Sequence, residues 1–188
     1  MKKFFVMAMV ALASLGASAE GLYVGGSLGF YHEGSSDNSH AINTFTILPE
    51  VGYNLTDKFA LGTTIGFESQ ATCRTGISSN MFQFNPYARF TYFKSDNNLI
   101  NLFVDGGIDL GLGWVSTKDD SSDTGVIYGI GFRPGVAINI TDKFSFVTHV
   151  GFLGYKGAND TAKMAGYKNQ GGLSLDSRDL TFGFYYNF

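Results

Sequence analysis

Cysteine is nearly absent from this chain of 188 residues, where Cys73 stands alone. One thiol cannot close an internal disulfide, so stability in an oxidising compartment has to come from elsewhere. Basic runs are missing as well, and 13 Lys and Arg face 16 Asp and Glu. A mildly acidic chain without a basic stretch is not built to hold nucleic acid. Beyond its first 19 residues the chain has no second apolar run of 18, so no spanning helix is expected there. It also lacks a CxxC pair, a nucleotide-binding glycine loop and any metal-ligand spacing, which leaves no expected metal or cofactor.

What is present begins with residues 1–19, "MKKFFVMAMVALASLGASA". Lys2 and Lys3 precede an apolar run from Phe4 to Leu15, and Ala17-Ser18-Ala19 supplies the small-x-small pattern that a signal peptidase reads. The apolar run falls short of the ~20 residues of a spanning helix. The expectation is a signal peptide over 1–19, cleaved before Glu20, with a retained N-terminal anchor as the alternative. No cysteine lies near the boundary to carry a lipoprotein anchor. The remaining 169 residues suit one domain, 20–188. Since two lysines and no acids leave with the leader, 11 bases then face 16 acids, a formal charge of −5.

The remainder alternates with period two. In "FALGTTIGFE", Phe59, Leu61, Thr63, Ile65 and Phe67 fall on one side and Ala60, Gly62, Thr64, Gly66 and Glu68 on the other. Such alternation marks strands, and these are long ones. Eight are expected, near 21–32, 44–54, 59–68, 80–93, 99–114, 125–140, 144–155 and 176–188. Three connections are short and turn-like, at 54–58, 94–98 and 139–143. Four are longer and polar, at 33–43, 69–79, 115–124 and for about 20 residues after Tyr155. Short turns at one end and long loops at the other predict an all-β fold, an eight-stranded antiparallel up-and-down transmembrane β-barrel.

One face of the strands carries Val24, Leu28, Phe30, Phe82, Phe84, Ile130 and Phe132; the other is glycine, small polar residues and scattered charge. A soluble barrel or sandwich would show a wet face rich in Lys and Glu. The narrow lumen of eight strands accepts small residues with paired charges. Aromatics also sort by height, with Tyr53, Phe59, Tyr92, Phe144 and Phe188 beside the short turns and Phe30, Phe67, Trp114 and Phe152 beside the long loops. Two such belts suit the two interfaces of a bilayer. The segment 49–67 matches 134–152 at 10 of 19 positions, including Thr56/Thr141 and Phe59/Phe144. Duplication of a four-strand unit or shared demands of the turns would each produce that likeness.

The last strand, "LTFGFYYNF", alternates aromatics down to Phe188. With the leader, the eight amphipathic strands, the repeated "P-x-V…N-[LI]-T-D-K-F" hairpins and "NPYARFTYF", the chain resembles the small outer-membrane β-barrel proteins of Gram-negative bacteria, the OmpA/OmpX-like, porin-family class. That resemblance implies an outer-membrane location with both termini on the periplasmic side. It also implies that Tyr186 and Phe188 form the signal read by the barrel-assembly machinery. No periplasmic peptidoglycan-binding domain is expected after the barrel.

By parity Glu50, Glu68, Arg89, Asp105, Asp109 and Arg133 point into the lumen. Unpaired charges there are costly, so salt bridges are expected, with Glu50 level with Arg133 and Arg89 level with Asp105. They read as a structural plug or as a gate that passes ions. Lys156, Lys163, Lys168 and Arg178 near the outer rim are candidate contacts for lipopolysaccharide phosphates. His32, His40 and His149 show no spacing to a nucleophile, so no catalytic residue is assigned. The expected function is a non-enzymatic, monomeric outer-membrane barrel with a plugged lumen and an envelope-integrity or surface-contact role. A narrow-pore channel and a lipid-modifying enzyme are the alternatives.

Overall fold

The structure, a computed structural model, describes residues 21–34, 41–72, 78–116, 123–175 and 180–188. The leader, His40, Cys73 and Arg178 lie outside the described residues. Six long strands come first: β1 (Leu22–Glu33), β2 (Ile42–Asn54), β3 (Phe59–Thr72), β4 (Ser78–Lys94), β5 (Ile100–Ser116) and β6 (Asp123–Asn139). Shorter pieces follow: β7 (Phe144–His149), β8 (Phe152–Ala158), helix α1 (Asp160–Met164), β9 (Gln170–Ser174) and β10 (Thr181–Asn187). Each strand from β1 to β7 pairs antiparallel with the next, β7 pairs with β10, and β10 returns to β1. Eight staves therefore close an up-and-down barrel, and Phe188 N–H reaches Leu22 O at 3.0 Å to finish the seam. Over Tyr23–Leu28 the closure leaves no open backbone edge, as hydrocarbon requires.

Alternation decides which side each residue takes. Phe30 is 74% exposed and Ile130 62%, whereas Tyr23 and Phe103 are 2% and 1% exposed inside. The exposed apolar surface is far larger than the patch a soluble monomer tolerates. Strands of 12 to 17 residues in β1–β6 exceed the roughly 9–11 needed to cross a bilayer, so part of each stands outside the hydrocarbon.

Two of the short turns share one hydrogen-bond pattern. Thr56 Oγ1 accepts from the backbone N–H of Lys58 and Phe59 at 3.2 and 3.0 Å. Thr141 Oγ1 accepts from Lys143 and Phe144 at 3.3 and 3.0 Å. Turn chemistry thus accounts for the repeated threonine in both segments.

Strand seven departs from the expected straight stave. Before its midpoint Gly135 faces His149; beyond it Phe132 faces Leu153, so one extra residue sits in β7–β8. Pro134 has no N–H to offer that neighbour, though its carbonyl accepts from Val150 N–H at 2.9 Å, and Gly151 takes φ +80°. The bulge flips every later side chain. Phe152, expected in the outer aromatic belt, is 2% exposed inside the lumen, while Leu153 and Tyr155 face outward. Strand eight is also divided: β10 begins at Thr181, and β9 pairs with β8 where a loop was expected.

Candidate functional site

The lumen has a filled floor near the short turns and a hollow above it. Tyr23, Phe103, Val147 and Tyr185 form the floor's apolar cluster. Space for the rings comes from glycines on neighbouring strands: a Cβ at Gly52 would strike Tyr23, one at Gly62 Tyr87, one at Gly135 Phe103 and one at Gly25 Tyr185. The rings surround Arg89 from β4, whose guanidinium lies 4.0 Å from the Phe103 ring centroid.

Arg89 Nε and Nη2 each donate to Asp105 at 2.7 Å, a two-pronged bond from β4 to β5. Nη2 also lies 3.5 Å from Glu50 Oε1 on β2 and 3.1 Å from the Tyr185 hydroxyl on β10. Glu50 accepts from Tyr185 at 2.7 Å and from Tyr87, and the Tyr87 and Tyr23 hydroxyls are 2.6 Å apart. His149 Nε2 on β7 lies 2.8 Å from Asp105 Oδ2. One cation and its partners thereby tie β1, β2, β4, β5, β7 and β10 together across the lumen.

Above this floor lies a chamber of about 440 Å³. Thr46, Thr64, Gln83 and Asn85 line its β2–β4 side; Asp109 and Arg133 line its β5–β6 side, where they form an ion pair. Arg133 also stacks 5.1 Å over the ring of Phe152. The segment around α1 folds over the chamber's outer end. Asn159 caps the helix by accepting from Ala162 N–H at 2.9 Å, and Ala162 is fully buried with Met81 and Ala158. Gln70 Nε2 donates to Ala165 O at 2.8 Å, and the Tyr167 hydroxyl donates to Glu68 at 2.6 Å. Burial and the Glu68 carboxylate push the Tyr167 phenol above its ordinary range, which keeps it a neutral donor.

A pleated apolar exterior around a partly filled polar lumen is the geometry to compare with known proteins. Residues 4–188 match the family model described as the outer membrane protein beta-barrel domain. The chain belongs to that family. Among solved structures, the crystal structure of Neisserial surface protein A is similar over 89% of this chain and 97% of that one, with a TM-score of 0.55. At 12% identity this likeness shows the fold alone, a closed eight-stranded antiparallel barrel. A comparison with curated proteins gave no match. Membership places the outer-membrane barrel's exposed apolar belt in the lipid of that membrane.

Within the barrel, Arg89 meets both Asp105 and Glu50, and Asp109 meets Arg133. Glu50 therefore pairs with Arg89 and not with Arg133, its expected neighbour in height. Counting residues from the turns ignores strand tilt and stagger, which shift levels between staves. Lys156 needs correction too: the bulge turns it inward, with Nζ 4.3 Å from the Phe152 ring, so it is not an outer-rim lipid contact. Lys163 stays exposed and pairs with Asp160 at 3.0 Å, while Lys168 is exposed at the chamber's outer end. Tyr186 packs against Phe144 and Phe188, at 5.0 and 4.9 Å between ring centroids. Sequence reasoning named His149 but missed its partners, Asp105 and Thr181, whose Oγ1 is 3.4 Å from Nδ1. Those residues are 44 and 32 positions away, and no local pattern joins them.

Proposed function

We propose that this protein is a non-conducting, non-enzymatic outer-membrane barrel that supports the envelope and presents its loops as a contact surface. The observation that carries this reading is the floor. Arg89, held by Asp105, Glu50, Tyr185 and the Phe103 ring, crosses the lumen where an ion would have to pass. Breaking such a buried group would leave charges unpaired at about 3–5 kcal/mol, too much for a gate that opens often.

Its leader exports the chain and is then removed, the short turns and both termini face the periplasm, and the barrel stays monomeric. Tyr186 and Phe188 serve as the signal for the assembly machinery. The exposed Lys163 and Lys168, with Arg178, meet lipopolysaccharide phosphates at the outer rim. Although Asp105, His149 and Thr181 resemble a hydrolytic set, Asp105 also carries the two-pronged bond from Arg89, and the Thr181 hydroxyl stays 3.4 Å from His149 Nδ1. The strands that carry His149 and Thr181 also spend their backbone N–H groups within the sheet and not toward the lumen, where an oxyanion would need them.

The test is conductance of the mature chain refolded into a planar bilayer, with heat-modifiable gel mobility confirming the folded barrel. The expected result is a folded, silent protein. Glu50→Ala should lower its unfolding temperature and remain silent. Steady conductance steps from the folded wild-type barrel would overturn the plug in favour of a narrow pore.

A further inference from the structure

The two halves of the lumen are furnished differently. In the floor, inward positions carry Tyr23, Tyr87, Phe103 and Tyr185, and the space is filled. Above it, inward positions on β2, β3 and β4 carry Thr46, Thr64, Gln83 and Asn85, and a chamber of about 440 Å³ remains. Ordinary side chains suffice to fill eight strands, so a hollow of this size takes short residues on several successive staves. A chance packing defect would be apolar throughout, whereas this one sets hydroxyls, amides and paired ions beside the apolar Leu48, Ile127 and Leu180. Its volume falls in the range of small-molecule sites, about 300–1,000 Å³.

We propose that the chamber binds a neutral, polyhydroxylated solute of one or two sugar rings. Asn85 Nδ2 donates to Thr64 Oγ1 at 3.0 Å and Gln83 Nε2 to Glu68 Oε2 at 2.9 Å. Each of those bonds uses one of the amide's two N–H groups. Asp109 gives Oδ2 to Arg133, but its Oδ1 is buried with no hydrogen-bond partner among the described residues. That oxygen is closed off from the chamber, so the groups left to meet a solute are the amides and threonines, which can both donate and accept. A sugar hydroxyl does both. The inward charged groups are already engaged, Arg133 by Asp109, Arg89 by Asp105, Glu68 by the Tyr167, Gln83 and Thr46 donors and Lys156 over the Phe152 ring, so an ionic ligand would have to displace one of them. The Tyr87 ring at the chamber's base adds an apolar face for a sugar ring.

Saturation-transfer NMR on the mature barrel, refolded in dodecylphosphocholine micelles, tests this directly. Glucose, galactose and N-acetylglucosamine are the neutral probes, and glucosamine and glucuronate the charged ones. At least one neutral sugar should give a signal, stronger than either charged analogue. Thr46→Leu/Thr64→Leu, which fills the chamber, should weaken it about tenfold or more. Should that variant fail to show the folded gel mobility, the near-isosteric Asn85→Leu, which removes a chamber amide, should still weaken it severalfold. No signal from any neutral sugar, a stronger charged analogue, or binding undiminished in the folded variant would overturn the proposal. The result is independent of the sealed floor, because a barrel that conducts ions could still bind the sugar, and a silent one could fail to.

Discussion

Arg89 shows how a single residue governs this lumen. Its side chain is 9% exposed and spends its donors on Asp105, Glu50 and Tyr185. Arg89→Ala would leave two carboxylates buried with no cation, and should cost about 3–5 kcal/mol in urea unfolding of the vesicle-inserted barrel. Arg89→Lys should recover only part of that, since an ammonium cannot fork across both Asp105 oxygens. Unchanged unfolding in Arg89→Ala would mean that the floor is held by its rings alone. The rings themselves depend on small partners: Gly52, Gly62 and Gly135 are glycine because Tyr23, Tyr87 and Phe103 occupy the place of their side chains.

Strand seven is the element where one inserted residue changes the chemistry. The bulge at Val150–Gly151 carries Phe152 and Lys156 into the lumen and sends Leu153 and Tyr155 to the lipid side. Phe152→Ala should therefore behave as a core deletion, costing about 3–5 kcal/mol. Phe30→Ala on the lipid face should cost less, because acyl chains can take up the space. Comparable losses in the two variants would place Phe152 outside and remove the bulge's consequence. The segment around α1 is the other element with a distinct role, since Ala162, Gln70 and Tyr167 fix it over the chamber instead of leaving it in solvent.

For the whole molecule, the seam between first and last strands closes the barrel. Six residue pairs join β1 to β10, and Tyr186 meets Phe144 and Phe188 edge-on at the short-turn end. Deleting Phe188 should reduce the amount of assembled barrel in cells far more than it lowers the stability of barrel refolded in vitro. Equal losses in both measurements would point to a packing role and not to a signal. Conductance is the companion property at this scale, because a pore needs a continuous path and the proposed plug at Arg89 would interrupt it.

The sequence by itself determined the barrel, its two faces and its ends. Those features are local: alternation repeats every two residues, and Thr56 and Thr141 cap their turns through neighbours two and three positions away. The inward side of Glu50, Arg89, Asp105, Asp109 and Arg133 was legible for the same reason. Only the tertiary structure decided which of them meet, because tilt and stagger set heights that counting along one strand does not give. It also decided the fate of Phe152 and Lys156. The signs of the bulge were present, with Pro134 on β6, Gly151 on the next strand, and the large residues changing parity from Phe144 and Phe146 to Leu153 and Tyr155. They lie on two strands, however, and act together only once those strands pair. The roof over the chamber depends likewise on residues nearly a hundred positions apart, Glu68 with Tyr167 and Gln70 with Ala165, which only closure of the barrel brings into contact.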